Sequence, residues 1–341
     1  MTGSPRTGVA TPAAWDSTPR RRSVPRVPLV LAAVALVPAL LATVLRVFPP
    51  ESDGPALVAA FIPYGLIGYA IAAVALLVAL VRARRRAVLA LALLLVLALA
   101  GLHVSWLAPY FSADSRPAVG PAFNLMTQNV YKGRADLFGV TGAAQQADVV
   151  VLAEVTPDFL HRLETPAWRQ RFPYAVGSFE QRVSDTAVFS RFPLSASQAL
   201  GQTSFQQWVM TVAVPGRSPV RLIAAHPCNP FCGNALFASD HALLRASVRA
   251  NLVYPLVVAG DLNATSDHAP LQQLHRDGMR DAADLVGTGW QPTYPANRPF
   301  PPLIAIDHVL VNDQLTVTAL TRIKISGTDH RGLLATVSGA G

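Results

Sequence analysis

Three apolar stretches, at about residues 28–45, 55–81 and 87–107, constrain this 341-residue chain more than any other feature. None contains Lys, Arg, Asp or Glu, although His103 lies near the end of the third. Each meets or approaches the roughly 20 residues that a helix needs to cross a hydrocarbon layer of about 30 Å. A single run of this kind suits a buried helix of a soluble domain. Three in succession with charged punctuation predict transmembrane helices. Composition agrees, because a chain that is 51% hydrophobic and 14% charged is too apolar for an ordinary pair of soluble domains.

The charges are unevenly placed. Residues 1–107 carry ten Arg against Asp16, Glu51 and Asp53, so seven of the eight net positive charges lie there. The rest of the chain holds 18 basic and 17 acidic side chains and shows no basic stripe of the sort that tracks a nucleic-acid backbone. Arginines in short loops stay on the cytoplasmic side. Arg20, Arg21, Arg22 and Arg26 before the first span, and Arg82, Arg84, Arg85 and Arg86 between the second and third, are therefore predicted to lie inside. The connector 46–54, with Glu51 and Asp53, and the segment 108–121, with Asp114 against Arg116, are predicted to lie outside. No cleavable signal layout is expected around the first span. The expected organisation is a disordered basic cytoplasmic tail (1–27), a three-helix anchor in the lipid bilayer of a plasma membrane (28–107), a linker (108–121) and an extracellular domain (122–339).

Only two cysteines are present, Cys228 and Cys232, in His-Pro-Cys-Asn-Pro-Phe-Cys-Gly. Outside the cell the expectation is a small loop disulfide, with a pair of free thiols as the alternative. No second Cys or His pair stands at zinc-ligand spacing. No internal repeat is evident, which argues against a solenoid or propeller.

Beyond Pro121 short apolar runs alternate with turn signals. Strands are predicted at 123–130, 148–155, 186–190, 208–214, 220–226, 256–260, 306–311, 317–325 and 333–337, and helices at 157–171, 235–252 and 269–277. Many short strands with few helices predict an α/β fold in which two packed sheets are flanked by helices. The polar residues of interest share one placement, at or just beyond a strand end: Asn129, Glu154, His226, Asp261, Asn263, Asp307, His308, Asp329 and His330. A carboxylate after a run of Val and Leu is costly to desolvate unless it is paired or on a metal. Each residue alone has an ordinary structural explanation; together, at successive strand ends, they predict one site.

In these residues the sequence resembles the endonuclease/exonuclease/phosphatase superfamily. The resemblance covers residues 122–337 and rests on Gln-Asn-Val, Leu-Ala-Glu-Val, Phe-Ser-Arg-Phe-Pro-Leu, Ala-His-Pro, Gly-Asp-Leu-Asn, Ile-Asp-His-Val-Leu and Gly-Thr-Asp-His-Arg-Gly-Leu. It implies a four-layer α/β sandwich with two mixed sheets and a metal site at one edge, and a Mg²⁺- (or Mn²⁺-) dependent phosphoesterase. By resemblance Glu154 is the principal metal ligand, helped by Asn129 and Asp329. Asp261 aligns the attacking water, Asn263 donates to a phosphoryl oxygen, and His226 binds phosphate or assists the leaving oxygen. His330 orients water or holds phosphate, and Asp307 fixes a catalytic histidine in its tautomer. Two departures stand out: Tyr131 occupies the position where abasic-site enzymes carry an acid, and Ala153 replaces the Gln that often precedes the metal-binding Glu.

The expected substrate is a phosphate ester: a lipid head group, a small phosphoester or extracellular nucleic acid. No obligate protein partner is implied. The alternative is a non-catalytic, membrane-tethered envelope-interaction domain. Arg191 is expected to be structural and His241, His268 and His275 to be surface histidines. Trp290, Tyr294 and Phe300, in a Pro-rich loop, are read either as a substrate rim or as packing of an outer loop.

Overall fold

A computed structural model describes residues 26–51, 53–83, 86–177, 185–233 and 235–341. The expected disordered tail lies outside the described residues except for Arg26 and Val27, and Arg84 and Arg85 of the second arginine cluster also lie outside them.

Three helices are long and apolar enough to cross a membrane, spanning Arg26–Val47, Ile62–Arg82 and Ala87–Phe111. The first is α1 (Arg26–Val47). The second apolar stretch is interrupted rather than continuous: α2 (Asp53–Ala59) stops, a 3₁₀ turn covers Ile62–Tyr64, and α3 (Gly65–Arg82) follows. Pro63 causes the break, because it lacks an N–H and disfavours helical geometry at the residue before it. The third helix is α4 (Ala87–Leu107), extended by a 3₁₀ turn at Ala108–Phe111. Small residues let α1 and α3 approach closely, since a side chain on Gly68 would run into the Ala35 carbonyl and Ala39.

The remainder alternates strands and helices: β1 (Ala118–Asn129), α5 (Leu137–Ala144), β2 (Val149–Val155), α6 (Pro157–Leu163), α7 (Pro166–Arg171), β3 (Tyr174–Val176), β4 (Asp185–Ser190), β5 (Leu194–Ala199), β6 (Trp208–Val212) and β7 (Val220–Ala225). After these come α8 (Leu236–Asn251), β8 (Leu256–Asp261), α9 (Ala269–Arg276), β9 (Arg280–Asp281), α10 (Ala282–Val286), β10 (Asp307–Val311), β11 (Leu315–Ile323) and β12 (Gly332–Ala340). The helix predicted over 157–171 is two helices, because Thr165 caps a new one through the Trp168 N–H with Pro166 in its first turn. α5, α10, β3, β5 and β9 were not foreseen; they are short, and their apolar patterns are too brief to show a period.

Two six-stranded sheets, ordered β11-β12-β1-β2-β4-β3 and β5-β6-β7-β8-β10-β9, pack face to face. Strand alternation builds the layers. Val149 and Val151 of β2 enter the core between the sheets with Val257 and Ala259 of β8. Val150 and Leu152 face outward onto Phe159, Leu160 and Trp168 of α6 and α7, while Leu256 and Val258 face Phe237, Leu244 and Leu271 of α8 and α9. The result is the four-layer α/β sandwich, helices outside two mixed sheets.

The apolar helices are docked on this domain. Arg46 Nε lies 2.8 Å from Asp267 Oδ1. His268 Nε2 is 2.8 Å from the Ala56 carbonyl, and the Ala56 side chain joins the core beneath α8 and α9. The Tyr64 hydroxyl donates to the Leu303 carbonyl at 2.9 Å, and its ring meets Trp290 edge-on. The Gly289 N–H also donates to the Tyr110 carbonyl just beyond α4 at 2.6 Å, so the α1–α3 connection and the exit from α4 contact the same domain, whereas Arg82 ends α3 some 18 residues, or about 27 Å of helix, away.

Candidate active site

The strand directions explain why distant residues meet. β1 and β2 are parallel neighbours, as are β7 and β8, so Asn129, Glu154, His226 and Asp261 all arrive at the same edge of the two sheets. β10 runs antiparallel to β8 in a register that sets Asp307 opposite Asp261. β12 runs antiparallel to β1 with Leu333 opposite Thr127, which brings Asp329 and His330 back to Asn129. A β-bulge between Leu152 and Val155 puts Glu154 in the left-handed region (φ +57°) and re-aims its side chain. Asn263 is left-handed as well (φ +50°). Gly260, at φ +154°, can only be glycine because a side chain there would collide with the Ala225 carbonyl of β7.

Eight of the nine strand-end residues, those given roles by the resemblance, converge, and His308 is the exception. Asn129 Nδ2 donates to Glu154 Oε1 at 3.1 Å and to Asp261 Oδ2 at 2.9 Å. Its Oδ1 accepts the Tyr131 N–H at 2.8 Å. His330 Nδ1 lies 2.8 Å from Asp307 Oδ2, and its Nε2 lies 3.6 Å from Asp261 Oδ2 and 4.0 Å from Asp329 Oδ1. His226 Nε2 is 4.0 Å from the same Asp261 oxygen. The Asn263 N–H donates to Asp261 Oδ1, and its side-chain amide donates to the Pro227 carbonyl at 3.0 Å.

Electrostatics at this edge are severe. Burial disfavours a charged His330, but Asp307 and Asp261 outweigh it and push the imidazole up to about 10. Burial raises Asp261 against the pull of His330. Burial also raises Asp329, with the like charges of Glu154 and Asp307 adding to the effect. His226 is lowered by burial despite its acidic neighbours, so it is neutral at pH 7. Among the described residues, Glu154 Oε2, Asp307 Oδ1 and Asp329 Oδ1 are buried oxygens with no hydrogen-bond partner, and His226 Nδ1 is likewise unpartnered. Buried Asp261, Asp307 and His330 each offer an atom within 4.8 Å of the others and could hold a metal ion. Asp307 and His330 are already bonded to each other, however, so unpartnered oxygens fit a cation better.

Several contributors were not assigned a role from sequence. The Thr328 hydroxyl donates to the Asn129 carbonyl and accepts the His330 N–H, and Gln128 donates to the same carbonyl. Both lie inside the quoted motifs. Phe205 stacks on His226 at 4.7 Å, and Tyr294 packs on His330 at 5.0 Å. Trp290, in contrast, packs on Tyr64 beside the apolar helices, as expected of outer-loop packing. His241 and His268 correct the surface expectation: both are buried, bonded to main-chain carbonyls, and lowered by burial to about 4. Their helices face the sandwich, which a local pattern did not reveal. His308 points away from the site and pairs with Asp281 at 2.5 Å. Arg191 is structural, holding Asp148 at 2.6 Å. Cys228 and Cys232 are disulfide-bonded, two residues beyond His226, with Cα atoms 6.2 Å apart.

Residues 126–330 match the Endonuclease/Exonuclease/phosphatase family. No curated protein matches the sequence. Among solved structures, an endonuclease/exonuclease/phosphatase from Bacteroides vulgatus is 16% identical with a TM-score of 0.51, over 64% of this chain and 99% of that one. A humanized TDP2 from D. rerio gives 16% and 0.51 over 64% and 99%. The 3′ phosphatase NExo from Neisseria, bound to product DNA hairpin, gives 17% and 0.51 over 62% and 98%. At such identities these likenesses describe the fold.

Proposed function

The chain belongs to the endonuclease/exonuclease/phosphatase family of phosphoester hydrolases, and from that premise we propose that its α/β domain is a divalent-metal-dependent phosphoesterase held at the outer face of a plasma membrane. One observation carries the reading: Glu154 Oε2 and Asp329 Oδ1 are buried without partners beside two further carboxylates, Asp261 and Asp307. Carboxylates gathered this closely repel one another unless a hard cation sits among them. Glu154 and Asp329, with Asn129, are the residues that would hold Mg²⁺ or Mn²⁺. Asn129 stands as a donor to Glu154 and Asp261, so joining them through its oxygen requires its amide to turn over. Such a cation supplies charge neutralisation at phosphoryl oxygens.

The side chains do the rest. Asp307 accepts Nδ1–H of His330, fixing the ring so that Nε2–H faces the space between Asp261 and Asp329 and donates to a phosphoryl oxygen. Asp261 accepts a hydrogen bond from the attacking water and takes its proton as the new P–O bond forms. Asn263 keeps one amide hydrogen on Pro227 and offers the other to the phosphoryl group. His226, held flat by Phe205, offers a neutral N–H to the leaving oxygen as its bond to phosphorus breaks.

Membrane anchoring and a near-neutral domain favour a lipid head group or small phosphoester, while the DNA bound to the Neisseria neighbour keeps nucleic acid under consideration. The full chain in non-ionic detergent, stripped with EDTA, is assayed on bis-p-nitrophenyl phosphate, sphingomyelin and plasmid DNA. Turnover restored by Mg²⁺ or Mn²⁺ on at least one substrate is the expected result; none on any would favour a non-catalytic envelope-interaction domain. Orientation has its own test. The anchor's contacts put the Glu51 connector on the domain's side and Arg82 at the far end of α3, which agrees with arginines inside. A reporter active only outside the cytoplasm, fused at Gly341, is expected to give signal, and a silent fusion with an active cytoplasmic counterpart would reverse the topology.

A further inference from the structure

Next to the catalytic edge is a cavity of about 450 Å³ lined by Arg298, Phe300, Pro302, Arg322 and Arg331. Three guanidinium groups share it. Among the described residues no carboxylate pairs with any of the three. Like charges brought together this way repel: burial lowers the pKa of Arg322, and the charge of Arg331 lowers it further. The arrangement is nevertheless built rather than accidental. Arg322 Nη1 donates to the Pro292 carbonyl at 2.9 Å, and the Arg331 N–H donates to the Thr293 carbonyl at 2.9 Å. The Arg322 guanidinium and the Arg331 main chain are thereby fixed to the start of the loop that carries Arg298.

The cavity adjoins the catalytic residues on one side and the anchor on the other. Arg331 follows His330 directly, and Tyr294 of the same loop packs on the His330 ring. Arg298 is near enough to Tyr294 to oppose the upward shift that burial gives that phenol. Pro302, in the cavity wall, precedes Leu303, whose carbonyl receives the Tyr64 hydroxyl from the start of α3. Guanidinium groups lining one cavity suit a tetrahedral oxyanion, to which they can donate paired, charge-assisted hydrogen bonds.

We infer that this arginine-lined cavity is a second anion subsite that takes a phosphate group, separate from the one attacked at the catalytic edge. The inference rests on the phosphoesterase reading, in that it makes the preferred substrate a phosphate ester bearing a second phosphate. The phosphate comes either from a lipid head group at the bilayer surface or from a soluble molecule.

The test is equilibrium binding of labelled inorganic phosphate to the full chain in dodecyl maltoside micelles. Two phosphates are expected to bind the wild-type protein. R298Q/R322Q is expected to weaken one of them by at least about ten-fold, and R298K/R322K, which keeps the charge, to retain it largely. H226A/N263A is expected to remove the other. Wild-type binding by R298Q/R322Q, or equal loss in R298Q/R322Q and R298K/R322K, would overturn the subsite. Loss confined to R298Q/R322Q in a protein that hydrolyses none of the panel substrates would leave the subsite standing and remove the phosphoesterase reading. Repeating the titration in phosphatidylcholine nanodiscs with and without phosphatidylglycerol separates the sources. Displacement of the arginine-bound phosphate by phosphatidylglycerol assigns the site to a lipid phosphate, and its retention assigns it to a soluble one.

Discussion

His330→Ala is expected to lower kcat/KM on the hydrolysed phosphoester by about 10³- to 10⁴-fold, with the metal requirement still present. The size follows from position. His330, carried just before β12 of one sheet, reaches Asp307 on β10 and Asp261 on β8 of the other, and its Nε2 faces the carboxylate gap where the phosphoryl group would sit. Removing it deletes a buried, charge-assisted donor and leaves Asp307 and Asp261 without their counter-charge. Asp307→Asn keeps the shape but removes the carboxylate charge that holds the ring protonated and oriented, so it should show a smaller loss, carried by kcat rather than KM. Steady-state kinetics on both variants decide the matter: full turnover in His330→Ala would show that the chemistry lies elsewhere.

The second large effect concerns stability. His308→Ala is expected to destabilise the folded protein by about 3–5 kcal/mol, seen as a fall of roughly 6–15 °C in the thermal midpoint. Both ring nitrogens of His308 face acceptors, Asp281 Oδ2 at 2.5 Å and the Ala264 carbonyl at 2.9 Å, which requires the imidazolium form. Burial opposes that charge, but Asp281 overcomes it and raises the His308 pKa. Alanine would strand the Asp281 carboxylate inside the protein. The neutralised double variant H308A/D281N, which keeps an acceptor for the Ala283 N–H at the start of α10, is expected to recover part of the loss. A midpoint for His308→Ala within 2 °C of the wild type would contradict the account.

These two histidines show how far the sequence could be read. His308 and Asp307 are adjacent in Ile-Asp-His-Val-Leu, and both stand at a strand end. Alternation along β10 sends Asp307 toward His330 and His308 toward Asp281, so one serves the site and the other the core. Which of the pair does which depends on strand register, and that is fixed only when β10 pairs with β8. The aromatic partners Phe205 and Tyr294 lie far along the chain from the histidines they pack on, in segments with no periodic pattern. The buried His241 and His268 were hidden for a related reason: the groups that bury them come from other elements.

Local physics in the sequence was enough for the three apolar helices, for the strand-end acids and histidines, and for the two-sheet α/β class, because hydropathy, length and period act within a few neighbouring residues. Tertiary structure alone decided that the break at Pro63 would dock on the domain through Tyr64 and Leu303, and that a bulge would turn Glu154 toward Asp261's edge. It also decided that loop 290–304 would join the apolar helices, the arginine cavity and His330. Those outcomes arise from contacts between residues tens to hundreds of positions apart, whose geometry is set by sheet pairing and docking.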